Sequence, residues 1–138
     1  MSASTKLSNS VKALCFLAKN MPAPQSSAVI SKNTGVNASK LRKLLSELSK
    51  TGVVSTSHGA AGGFALAKMP EEIHLQEIYC GIEDRKAFHL NVSELREEEF
   101  GETAALNKYF LDLFSDIQVE IEDKMRKITL ADIMRQLS

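Results

Sequence analysis

Residues 37 to 68 read NASKLRKLLSELSKTGVVSTSHGAAGGFALAK, and two periodicities meet inside them. Leu41, Leu44, Leu45 and Leu48 recur at three- and four-residue steps, which puts apolar side chains on one face of an α-helix. Lys40, Arg42, Lys43 and Glu47 project elsewhere from the same helix. Asn37 or Ser39 can cap its start, because a short polar side chain accepts from the free amides of the first turn. Gly52, just after Thr51, is a natural stop. The pattern then shifts to β. Val53-Val54-Ser55-Thr56 and Gly63-Phe64-Ala65-Leu66-Ala67 are short β-branched or alternating segments, and Ser57-His58-Gly59-Ala60-Ala61-Gly62 joins them. Together they predict a β-hairpin.

Upstream, Leu7, Val11, Leu14 and Ala18, with Cys15 beside the stripe, predict a first helix over about residues 6 to 20, closed by Met21-Pro22-Ala23-Pro24. Ser26 or Ser27 can cap a short second helix carrying Ala28, Val29 and Ile30, and Asn33-Thr34-Gly35 supplies the turn after it. Downstream, Met69-Pro70 ends the hairpin, and Leu75, Ile78, Tyr79 and Ile82 mark a fourth helix from about 73 to 83. The acidic, irregular stretch that follows reads as a connector. Leu106, Phe110, Leu113, Ile117, Ile121, Met125 and Ile128 then keep three- and four-residue steps, a long amphipathic helix over about 103 to 127 that spans roughly 40 Å. Thr129, with Asp132 three residues on, caps a last helix, Leu130 to Leu137.

The expected architecture is mainly α with a small β-hairpin. Residues 1–84 form a winged helix-turn-helix domain, 85–102 a connector, and 103–138 a dimerisation helix with a C-terminal helix. At 138 residues, 43% of them hydrophobic, the chain can bury a core without disulfide or metal staples. No apolar run approaches the roughly 20 residues of a membrane helix, and Met1-Ser2-Ala3-Ser4-Thr5-Lys6 lacks the apolar stretch of a signal peptide, so no membrane partner and a cytoplasmic location are expected. Two distant cysteines, Cys15 and Cys80, make no disulfide framework.

Seventeen basic side chains balance seventeen acidic ones, but the two halves carry opposite charge. Residues 1–68 hold nine cations against the single acid Glu47, a net of +8, and residues 69–138 carry −8. A basic module of this kind meets a polyanion. The most cationic helix also occupies the recognition position of the helix-turn-helix, and a major groove about 12 Å wide admits one helix. Asn37, Ser39, Lys40, Arg42 and Lys43 would then contact bases and phosphates of double-stranded DNA. Backbone amides at the helix starts, with Ser26 and Ser27, can add phosphate contacts. At the hairpin tip, His58 and Gly59 either approach a phosphate or the minor groove, His58 being the one polar side chain there large enough to reach in, or the glycines are plain turn chemistry.

Leu41-Arg42-Lys43-Leu44-Leu45, Leu48, Gly52-Val53-Val54, His58-Gly59, Gly62-Gly63-Phe64, Leu66-Ala67-Lys68, Ile73-His74-Leu75 and Glu77-Ile78 resemble, in that order, the Rrf2 family of bacterial winged-helix transcription regulators. The resemblance implies a homodimeric DNA-binding regulator on a two-fold symmetric operator, with the long helix paired to its mate; its apolar stripe Leu106, Phe110, Leu113, Ile117 and Ile121 is then the expected seam, and a repressor the expected role. Two departures stand out. Members that hold an iron–sulfur cluster place three cysteines after the fourth helix, whereas Ile82 to Ala105 contains none, so no cluster and no other cofactor is expected. His58 stands where the family commonly has Arg before Gly at the wing.

Other constellations carry less. His89 with Asp84 or Glu94 reads as solvated loop residues rather than a metal site. Cys80, one position off the apolar stripe of the fourth helix, is a candidate thiol sensor, while Cys15 reads as core. Tyr79, Phe88, Phe100, Tyr109, Phe110 and Phe114 either pack the dimer or line a small-molecule pocket. His58, His74 and His89 have no nucleophile motif beside them, so an enzyme is not expected. Two alternatives to a DNA-binding regulator stay open: a protein-interaction module on a winged-helix scaffold, and a thiol-based sensor using Cys80. Protein or small-molecule effectors are compatible with all three.

Overall fold

Leu41, Leu45 and Leu48 are fully buried and Leu44 is nearly so, which fixes one face of their helix against the rest of the chain. Burial of each such side chain contributes roughly 1.5–3 kcal/mol. The computed structural model describes residues 3–60, 62–82 and 102–137. Its helices are α1 (Ala3–Lys19), α2 (Ser27–Thr34), α3 (Ala38–Lys50), α4 (Leu75–Ile82), α5 (Glu102–Arg126) and α6 (Leu130–Gln136). Between α3 and α4 lie strands β1 (Val54–Ser57) and β2 (Gly63–Leu66) and a 3₁₀ turn at Pro70–Glu72. The connector, with Asp84, Phe88, His89, Glu94 and Phe100, lies outside the described residues.

The fold is mainly helical with a two-stranded antiparallel hairpin, the winged helix-turn-helix arrangement. Val54 pairs with Leu66, Ser55 with Ala65, Thr56 with Phe64 and Ser57 with Gly63. Leu14, Leu17, Ile30, Leu41, Leu45, Leu48, Val53, Ile73, Ile78 and Leu130 share one core. Cys15 lies in it too, 6% exposed, and desolvation raises its thiol pKa, with Lys19 partly opposing the shift.

Several boundaries differ from the spacing for local reasons. α1 starts at Ala3, earlier than expected; Ala3-Ser4-Thr5 adds no large apolar residue, so the apolar spacing does not mark this first turn. Val53 is not in the ladder: its amide donates to Leu48 O (3.1 Å) and its carbonyl accepts from Ala67 (2.9 Å), so it closes α3 instead. α4 starts at Leu75 because Ile73 O accepts from the Leu130 amide and Leu75 N donates to Ile128 O, both at 2.8 Å. These two bonds stitch the α5–α6 junction to the entry of α4. Thr129 caps α6 through a reciprocal pair of bonds with Asp132, and Leu130 is fully buried.

α5 packs against α4, and its buried positions are polar: Gln118 and Glu122. Among the described residues, its apolar stripe is only partly covered. Leu106 is 53% exposed and Phe110 38%, while Leu113, Ile117 and Ile121 are half-buried. Among the described residues, no helix is long and apolar enough to cross a membrane.

Candidate nucleic-acid interface

The turn between α2 and α3 is fixed by its own side chains. Ser31 Oγ donates to Val36 O (2.5 Å), Thr34 Oγ1 donates to Ile30 O (2.7 Å), and the Val36 amide donates to Thr34 Oγ1 (3.3 Å). Gly35 caps α2 at φ +77°, a conformation that side chains with a Cβ rarely adopt, and its amide reaches Ser31 O. Val36, 4% exposed, anchors the turn in the core. The angle at which α3 leaves α2 is thereby set before any ligand arrives.

On α3 the leucine face is inward, and Ser39, Lys40, Arg42 and Lys43 are exposed on the outer surface. Asn37 is the cap: its Oδ1 accepts from the Ser39 amide (3.0 Å) and the Lys40 amide (3.2 Å). Ser26 does the same for α2, accepting from Val29 at 3.2 Å. The two helix starts therefore use part of their anion-binding capacity internally, and the side-chain oxygens of Asn37 and Ser26 act first as caps. Ser27 is half-buried as the first residue of α2.

The wing is braced from two sides. Ser49 Oγ at the end of α3 and Thr56 Oγ1 of β1 lie 3.2 Å apart, within hydrogen-bond reach. Gln25 and Phe64 exchange backbone bonds at 2.8 Å each, adding a β-bridge just before the Ser26 cap of α2. That approach needs glycine at the neighbouring position: a Cβ on Gly63 would lie 2.5 Å from Gln25 O. Beyond these braces His58, Gly59 and Ala60 are exposed at the tip. Lys68, at the exit of the wing, pairs with Glu77 of α4 at 2.7 Å and is not part of the outward cationic face.

The structure thus places Ser39, Lys40, Arg42 and Lys43 on one helix, Ser26 and Ser27 at the start of the preceding one, and His58 and Gly59 between the two strands of the hairpin. One residue that the sequence pattern did not single out joins this surface. Lys6 of α1 lines a groove of about 200 Å³ together with Lys40, Lys43, Leu44 and Glu47. Cys80 is exposed on α4, where Gln76 Nε2 donates to its Sγ at 3.0 Å, while Cys15 is enclosed in the core. The aromatic set divides: Tyr79 is buried on α4, whereas Phe110 packs against Tyr109 and Phe114 on α5 at 5.8 and 5.7 Å between ring centres.

A braced wing beside an outward cationic helix defines a winged helix-turn-helix regulator. The chain belongs to the Rrf2 family, whose model, described as "Iron-dependent Transcriptional regulator", matches residues 3–136. It is similar to an HTH-type transcriptional regulator of Synechocystis sp., 35% identical over 85 residues, covering 61% of this chain and 58% of that protein. The chain therefore spans less than two thirds of that relative's length. YwgB of Bacillus subtilis, also named as an HTH-type transcriptional regulator, is 30% identical over 112 residues, 78% of this chain and 67% of its own. Among solved structures, T. potens IscR superposes with a TM-score of 0.70 and 26% identity, covering all of this chain and 89% of that one.

The family's description raises iron, and the donor set here does not fit a thiolate-held cluster. The whole chain has two cysteines, one enclosed in the α1 core and the other exposed on α4. Clusters of this kind are held mainly by cysteine thiolates, usually four. Among the described residues, no three His, Cys, Asp or Glu side chains gather as a metal site.

Proposed function

We propose that the protein is a homodimeric transcription repressor that binds a two-fold symmetric operator in duplex DNA without an iron–sulfur cluster. The observation that carries this reading is the division of α3 into a buried leucine face and an exposed face bearing Lys40, Arg42 and Lys43. A helix held this way presents fixed cations to a groove of matching width. Ser39 and Arg42 serve base edges, Lys40 and Lys43 serve phosphates, and the small wing tip at His58 and Gly59 lies along the adjacent minor groove. Ser26, Ser27 and Asn37 orient the helix starts and contribute backbone amides to phosphate. The stripe Leu106, Phe110, Leu113, Ile117 and Ile121, exposed at its first two residues and half-buried at the rest, supports pairing of α5 with its mate, since an apolar helix face open to solvent marks an association surface. Two recognition helices related by that axis read half-sites about 34 Å apart. A dimer seated there acts by occlusion, in the cytoplasm, and catalyses no reaction.

Selection of duplexes from a random library by the purified protein tests the reading. It should enrich an inverted repeat; recovery of sequences without two-fold symmetry, or of no sequence above background, contradicts it. Control by a thiol is a second reading, favoured by the exposure of Cys80. It requires Cys80→Ser to remove an oxidant response while leaving DNA affinity intact.

A further inference from the structure

The groove between α1 and α3 gathers three of the nine cations of the basic half, Lys6, Lys40 and Lys43, around the apolar side of Leu44. Its fourth polar member, Glu47, is the single acid of residues 1–68. Among the described residues, none of the three ammonium groups forms an ion pair or hydrogen bond within the chain, Glu47 included. Three cations against the one carboxylate leave the groove with a net positive charge, which favours a further anion. Lys6 is also badly placed for the helix that carries it: it lies in the first turn of α1, which has no acid, where the macrodipole disfavours a cation. A phosphate at this groove offsets both.

The dimensions choose between a diffusible ligand and a strand. At about 200 Å³ the groove is smaller than the roughly 300–1,000 Å³ of sites that enclose small molecules. Lys40 and Lys43, which form its wall, are exposed on the outer face of α3. A backbone phosphate of a duplex seated on α3 can approach this wall without being enclosed. We infer that Lys6 of α1 is an additional DNA-backbone contact, which extends the phosphate grip from α3 onto the first helix and binds without regard to base sequence. The inference rests on the DNA-binding reading above.

The test compares the full-length protein with Lys6→Ala and Lys6→Arg on a labelled duplex, titrated with salt. Lys6→Ala should weaken binding several-fold at about 0.1 M salt and make the dimer's slope of log K against log salt shallower by about 1.8, about 0.9 for the one phosphate that each protomer no longer neutralises. The ranking of different duplexes should not change, and Lys6→Arg should restore both slope and affinity. Thermal melts of each variant identify any loss due to unfolding. Should Lys6→Ala prove unfolded, Lys6→Gln replaces it. If wild type binds duplex but Lys6→Ala keeps the wild-type slope and affinity, the inference is wrong. It is also wrong if inorganic pyrophosphate raises the melting temperature of wild type but not of Lys6→Ala while duplex affinity is equal in both, because the groove then serves a free phosphate. Failure of wild type to bind any duplex would instead overturn the reading on which it rests.

Discussion

Gln25 and Phe64 exchange two backbone hydrogen bonds of 2.8 Å, so the residue before the Ser26 cap of α2 forms a β-bridge to the wing. The start of α2 and the hairpin are thereby held at a fixed spacing. The Ser49–Thr56 contact adds a second brace between α3 and the same hairpin. A recognition helix and a wing that move together lose less freedom on binding, which leaves more of the contact energy for affinity.

Gly63→Ala should break this arrangement. The new methyl would lie 2.5 Å from Gln25 O and 2.6 Å from Gln25 C, both backbone atoms that cannot rotate away. Overpacking of this kind costs about 1–3 kcal/mol. Denaturant unfolding should show a lower midpoint, and duplex affinity should fall by more than the small loss in folded fraction explains. Wild-type stability in the variant would show that the strand pairing is dispensable.

Replacing Lys40 and Lys43 together with Ala should weaken binding to every duplex and flatten the salt slope by about 0.9 for every phosphate left without its lysine. Arg42→Ala should act differently, relaxing preference at one base step at a cost of about 1–3 kcal/mol. These side chains are exposed, so melting temperatures should hardly move. Binding measured across a panel of single-base operator variants separates the two effects.

Phe110→Glu or Ile117→Glu places a charge in the partly covered stripe of α5. Sedimentation should show a monomer, and operator affinity should drop because one half-site then binds alone. A variant that stays dimeric would remove α5 from the interface.

The α6 cap gives a pH-dependent prediction. The Thr129 amide and hydroxyl bonds hold the Asp132 carboxyl below its usual range, with Arg135 assisting. A depressed carboxyl pKa contributes stability that is present above its unfolded value of about 3.9 and is lost as pH falls through the folded value. Asp132→Asn should therefore melt lower than wild type at neutral pH, and the gap should close in acid below about pH 4. Thr129→Ala, which removes the reciprocal cap, should cost about 1 kcal/mol at neutral pH. A gap that persists unchanged into acid would assign the effect to something other than the carboxylate.

Much of this molecule is readable from local pattern. The leucines of α3, the caps at Ser26 and Asn37, the turn at Gly35 and the capping box at Thr129 are each written within a few residues, and local rules suffice for them. What stays hidden depends on residues far apart. Ala23-Pro24-Gln25 has no strand periodicity, and Gln25 forms a β-bridge only because Phe64 arrives beside it. In α5 the apolar pattern marks the partly covered stripe, while the positions pressed inward, Gln118 and Glu122, are polar and look solvated in sequence. Lys6 looks like an ordinary helix cation until α3 brings Lys40 and Lys43 to the same groove.

The salt dependence of duplex binding by the intact protein bears most directly on the whole account. If a dimer makes about six phosphate contacts through its cationic half, log K should fall against log salt with a slope near −5. A slope near zero, or no binding to any duplex at about 50 mM salt, would contradict it.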